Sequence, residues 1–138
     1  MAGDYEIVDH TADIAIVARG TNVGEAFASA GRALLNLVTD PDGVAEVEQR
    51  RIELSADDLE DLLVAWLNEL IYLFDAENLL LGGFDVRLAG DSRLVATVRG
   101  ERVDKTRHQI KLGVKAATHH MLEIDHGDGV RLQVLFDI

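Results

Sequence analysis

The chain contains no cysteine, so disulfides, thiol nucleophiles and zinc–thiolate sites are excluded. Its one proline, Pro41, stands in TDPDG (39–43), a turn sequence. Aromatic residues make up only 5%. The stacking platform of a sheet-based RNA-binding domain is therefore missing, and Trp66, Tyr72 and Phe74 are expected to pack in or at the edge of the core. No apolar run approaches the length of a membrane span, and no apolar signal region follows Met1. A soluble, cytoplasmic protein is the expectation. Bases are scarce as well: 13 Lys and Arg face 25 Asp and Glu, for a net charge of −12.

The shortage of bases is uneven. Residues 1–90 carry 18 acids against 5 bases, whereas 91–138 carry 7 against 8. Within 99–115, Arg99, Arg102, Lys105, Arg107, Lys111 and Lys115 face only Glu101 and Asp104. This asymmetry argues against the whole molecule lying on nucleic acid. It permits one basic patch that meets a phosphate or an acidic partner; a solvated basic loop fits the same charges.

A length of 138 residues with 48% hydrophobic content suits a single domain, 1–138, with a real core. Tyr5–Val8 and Ile14–Ala18 read as strands. TNVGEAFASAGRALLNLVTD (21–40) reads as a helix, with Asn22 as cap and Glu25 completing a capping box. Val44–Leu54 reads as extended. Leu59, Leu62, Leu63, Trp66, Leu67, Leu70, Ile71 and Phe74 repeat at helical spacing, behind a capping pair of Ser55 and Asp58. Alternation at Phe84–Leu88 and Leu94–Arg99 around AGDS (89–92) predicts one hairpin. Leu122–Ile124 and Val130–Phe136 around DHGDG (125–129) predict another. Asp104–His120 fits both periods; its residues favour an irregular turn entering a strand near Ala116. The order predicts an α+β fold, two helices on a mixed or mostly antiparallel sheet.

Several chemistries lack their motifs. No GxSxG surrounds a serine, no phosphate loop carries its lysine, and HExxH is absent. Five histidines are present, but adjacent His119 and His120 would face opposite sides of a strand, which disfavours a shared zinc. VDHTADIAI (8–16) is different. It sets Asp9, His10, Thr11 and Asp13 beside a strand, where aspartate is disfavoured and a carboxylate needs a partner or a cation. A polar turn is the plain reading. A hard-cation site is the sharper one, if the first and last strands are neighbours and bring Asp13 to Asp137. Lys115, among small and apolar residues in GVKAATHHM (113–121), either reaches a carboxylate such as Asp13 or Asp137, meets a phosphate, or extends into solvent from an edge strand.

DHTADI (9–14), LLVAWLNELIYLFDAE (62–77), GE (100–101) with VD (103–104), His108, VKAATHH (114–120) and the final DI (137–138) together resemble the archease family, in order and over nearly the whole chain. The resemblance implies a single archease-like domain that is not an enzyme. It implies an activator of the GTP-dependent RNA-splicing ligase, which joins tRNA halves through a guanylyl-enzyme intermediate. Such activators promote guanylylation and multiple turnover and broaden the nucleotides accepted. The partner is then the ligase, with tRNA met only through it and no membrane involved. The resemblance also implies a divalent cation, Ca²⁺ with Mg²⁺ or Mn²⁺ as alternatives, held by Asp13, Asp137 and backbone or terminal oxygens of Ile138. Lys115 is implied in ligase activation together with Asp13 and Asp137, and Asp9 and His10 become the support of Asp13. The family usually carries Tyr-His where this chain has His119-His120. Two competing functions are a metal-dependent phosphoesterase using Asp9, Asp13 and Asp137, and a chaperone or RNA-binding module.

Overall fold

A computed structural model describes residues 13–138; the expected first strand, Tyr5–Val8, lies outside the described residues. The described elements are β1 (Asp13–Gly20), α1 (Val23–Val38), a 3₁₀ turn (Pro41–Gly43), β2 (Glu48–Ser55), α2 (Leu59–Glu77), β3 (Leu79–Ala89), β4 (Arg93–Arg102), β5 (Ala116–His126) and β6 (Val130–Asp137). The fold is α+β, as expected. The described strands form two three-stranded sheets, β1-β6-β5 and β2-β4-β3, and every pairing is antiparallel.

Both helices start where a polar side chain can satisfy an otherwise unpaired amide. Asn22 accepts from the Glu25 amide at 2.9 Å. The Glu25 carboxylate turns back to the Thr21 hydroxyl at 2.8 Å and the Thr21 amide at 3.3 Å. It thus ties down the residue before the cap rather than the cap itself. Asp58 alone caps α2, accepting from the Asp61 amide at 2.8 Å. Ser55, expected to share that role, is the last residue of β2. Asn78 ends α2 in the left-handed region, φ 57°, a conformation asparagine tolerates better than most residues.

That left-handed residue turns the chain straight into β3, five residues before its alternation begins. Leu79, Leu80 and Leu81 are all buried. A strand covered on both faces shows a continuous apolar run, which by periodicity looks like the tail of the helix. A Cβ on Gly100, across from Leu81, would fall 1.8 Å from the Leu80 carbonyl oxygen, so the strands can approach here only because residue 100 is glycine. Both predicted hairpins form, and β5 begins at Ala116.

Helix α1 packs on β1 and β3, and α2 on β5 and β3. The core between them holds Phe27, Leu62, Leu63, Trp66, Leu67, Val98, Leu132, Val134 and Phe136. The Trp66 indole N–H donates to the Phe27 carbonyl at 3.0 Å, and the ring meets Phe84 edge-on at 6.0 Å. Tyr72 departs from expectation and is 60% exposed. A cavity of about 30 Å³ between the helices and β3, lined by residues such as Leu34, Leu70 and Phe84, is apolar and reaches neither Asp13 nor Asp137.

Candidate functional site

β1 and β6 pair antiparallel from Asp13↔Asp137 at one end to Gly20↔Val130 at the other. The first and last strands are therefore neighbours. Asp13 and Asp137 stand directly opposite each other, with side chains on one face of the sheet. Asp13 is exposed and Asp137 and Ile138 are half-buried. On the far side of β6, Ala116 is the partner of Asp137, and the Lys115 amide donates to the Asp137 carbonyl at 2.8 Å. Three segments remote in sequence thus meet at the end of β6.

Two carboxylates placed directly across a ladder repel each other. Among the described residues no Arg, Lys or His forms an ion pair with either one. Lys115 is exposed and contributes its backbone N–H there; its ammonium pairs with no carboxylate among the described residues. The candidate donors here are all oxygen: the two opposed carboxylates and, next in sequence, the main-chain oxygens of Ile138. Hard cations such as Ca²⁺, Mg²⁺ and Mn²⁺ take that chemistry, so the residues fit such an ion. Among the described residues no three His, Asp or Glu side chains gather as a ready-made cluster. Asp9 and His10 lie outside the described residues.

A second polar cluster lies at the other end of the segment that joins β4 to β5. Glu101 and His108 are buried. The Glu101 carboxylate accepts from the Arg107 guanidinium and the Ala45 amide, and His108 Nε2 lies 3.3 Å from it. His108 Nδ1 accepts from the Asp104 amide at 2.9 Å. The ring proton is thereby assigned to Nε2, which donates to the Gly43 carbonyl at 2.9 Å. These bonds hold the Glu101 carboxyl down to about 2, chiefly through Arg107 and then Ala45, against the upward effect of burial. Asp104 is also lowered, by the Thr106 hydroxyl and amide.

Ion pairs take up the three arginines of the expected basic segment, while Lys105, Lys111 and Lys115 are exposed. Arg99 is paired with Glu46 at 2.9 Å, Arg102 with Glu48 at 3.1 Å, and Arg107 with Glu101 and Asp104. His119 and His120 are exposed in a wide bulge where four residues of β5, 119–122, stand against Val134 alone. His119 Nε2 meets Asp61 at 2.7 Å.

The comparisons with known proteins agree with this architecture. The model of the Archease protein family (MTH1598/TM1083) matches residues 5–138. The chain belongs to the archease family. "Protein archease" of Methanosarcina mazei is 35% identical, with 97% of this chain and 95% of the relative covered. That of Pyrobaculum neutrophilum is 39% identical, covering 98% and 95%. The solution structure of protein 1598 from Methanobacterium thermoautotrophicum superposes with a TM-score of 0.80 at 32% identity, over 95% of this chain and 96% of that one. A Thermotoga maritima crystal structure, described as an archease and possible chaperone, gives 0.68 at 22% identity, over 97% of each chain, and supports the fold alone. No helix among the described residues of this archease-family chain is long and apolar enough to cross a membrane.

Sequence reasoning missed two groups of residues in this region. Asn68 lies inside the amphipathic pattern of α2, yet its carboxamide bonds the backbone of Ala117. Glu101 and His108 stood among the family's marks and Arg107 in the basic segment, but no pattern joined the three as one buried cluster. The available signal was a carboxylate and a histidine on either side of an arginine, next to a glycine that forces close strand approach.

Proposed function

We propose that this chain, acting as one archease-like domain, is a non-enzymatic, cytoplasmic activator of the GTP-dependent RNA-splicing ligase. It promotes ligase guanylylation and multiple turnover and broadens nucleotide use, and it meets tRNA only through the ligase. Family membership supports this reading. The observation that carries it to a site is the direct opposition of Asp13 and Asp137 at the end of β6. A divalent cation, Ca²⁺ or else Mg²⁺ or Mn²⁺, relieves that opposition and offers positive charge to nucleotide phosphates. Asp13, Asp137 and the main-chain or terminal oxygens of Ile138 hold it. Lys115, exposed beside them, faces the ligase, and Asp9 and His10 support Asp13. Activation requires that this surface bind the guanylylation-competent ligase better than the resting one.

The test uses catalytic ligase, excess 3′-phosphate-ended RNA and GTP, with and without this protein. Product is expected to pass one equivalent per ligase only when the protein is present, and Asp13→Ala is expected to remove the effect. A yield held at one turnover with the wild-type protein overturns the reading. Hydrolysis of a phosphate ester by this protein alone, abolished by chelator, points instead to a metal-dependent phosphoesterase. Salt-sensitive RNA binding without ligase stimulation points to a chaperone or RNA-binding module.

A further inference from the structure

Among the described strands, β5 is an edge of its sheet. Its buried residue Ala117 lies opposite Phe136, and the outward-facing backbone of Ala117 meets no neighbouring strand among the described residues. Asn68 of α2 supplies the missing partner. Its Oδ1 accepts from the Ala117 amide at 2.8 Å, and its Nδ2 donates to the Ala117 carbonyl at 3.3 Å. One carboxamide thus presents the donor and the acceptor that a strand residue would. Two helical turns earlier on the same face of α2, Asp61 reaches His119, so the helix holds β5 at two points.

What the carboxamide pins is the start of β5. Residues 109–115 have no regular structure. Among the described residues, their bonds to the rest of the fold are Thr39 Oγ1 to the Gln109 carbonyl, the Lys111 amide to the Val38 carbonyl, and the Lys115 amide to the Asp137 carbonyl. Gly113 is exposed, and a Cβ there would meet nothing within 4 Å. Ala117 is therefore the first residue after Lys111 that is clamped from outside its own sheet, two positions beyond Lys115.

We infer that Asn68 is a positioning residue. By imitating a neighbouring strand at Ala117 it holds the Lys115 amide on the Asp137 carbonyl, and so fixes Lys115 and the end of β6 as one surface beside Asp13. This rests on the cation and activator reading above. Without the carboxamide, the Ala117 amide and carbonyl are left buried and unpaired. The strand end then opens locally, below the free energy of global unfolding.

Asn68→Ala removes both bonds. Asn68→Asp keeps an acceptor for the Ala117 amide and loses the donor to its carbonyl. Amide hydrogen exchange is measured at Lys115, Ala117 and, as a core reference, Val134. Ca²⁺ alone is titrated by calorimetry, and ligase stimulation is followed. In Asn68→Ala, exchange at Ala117 and Lys115 is expected to speed up roughly tenfold or more with Val134 unchanged. Ca²⁺ affinity is expected to fall roughly tenfold, the size typical of losing a residue that supports a metal ligand. Stimulation falls with it, and Asn68→Asp lies between the two. Unchanged exchange at Lys115 in the folded variants overturns the inference, as does Ca²⁺ affinity equal to wild type once Ala117 has opened. Absence of Ca²⁺ binding by the wild type overturns the cation reading instead, and exchange at Lys115 then decides the role of Asn68 by itself.

Discussion

Two carboxylate sites bracket the irregular segment between β4 and β5, and they are built in opposite ways. At its start, Glu101 is 7% exposed and receives an arginine, a backbone amide and a histidine. At its end, Asp13 and Asp137 face each other, with no cationic side chain paired to either among the described residues. A buried carboxylate surrounded by donors is a structural fixture: it ties β4, the turn at 104–108 and the loop at 43–45 together. An opposed pair at a sheet end costs stability and persists where something else rewards it. Charge by itself does not separate the two sites; the partners do.

The largest expected effect comes from breaking the satisfied site. Glu101→Ala leaves the Ala45 amide and the Arg107 guanidinium without their carboxylate. Thermal denaturation is expected to show a fall in Tm of roughly 5 °C or more. Asp13→Asn, by contrast, is expected to hold or slightly raise the Tm of the metal-free protein while stimulation of the ligase collapses. A large fall in Tm for Asp13→Asn would erase the contrast. Lys115→Ala sharpens it further: denaturation is expected to be unchanged within about 2 °C, since exposed substitutions stay within about ±0.5 kcal/mol, with stimulation lost.

Acid separates the sites more gently. The Glu101 carboxyl is depressed from 4.5 to about 2, so its folded-state value lies below its unfolded one. The stability it contributes is full above about pH 4.5 and is lost as pH falls from there through about 2. Acid titration followed by circular dichroism is expected to show this dependence in the wild type. It should be flattened in Glu101→Gln, which has no proton to gain there. Equal acid profiles would mean that Glu101 is not the carboxylate that matters. A smaller effect is ligand-linked: Ca²⁺ at 100 times its dissociation constant is expected to add about 2.7 kcal/mol to wild-type stability and nothing to Asp13→Asn.

Much of the fold was legible because periodicity reports burial. The eight apolar positions from Leu59 to Phe74 could belong only to a helix with one covered face. The hairpins followed from alternation around AGDS and DHGDG. What hid was whatever broke those periods. Leu79–Leu81 are buried on both faces and so do not alternate. The division of the six described strands into two sheets depends on which edges meet, and no local pattern encodes that. At the site, the aspartates at both ends of the chain were visible, and β1–β6 pairing made them neighbours. Asn68 was not, because a half-buried asparagine in a helix gives no sign that it completes a strand. Arg99, Arg102 and Arg107 suggested an available patch because their acidic partners, Glu46, Glu48 and Glu101, come mostly from β2 and the loop before it, across the sheet.

The proposed cation site requires that Asp13 and Asp137 act together on one ion. It is tested most directly by following their side-chain carboxyl carbons by NMR while Ca²⁺ is added to the full chain. Both resonances are expected to move together and saturate at one ion per chain, and Asp13→Asn is expected to abolish the response at Asp137. Resonances that stay still, or an Asp137 response that survives Asp13→Asn, would contradict it.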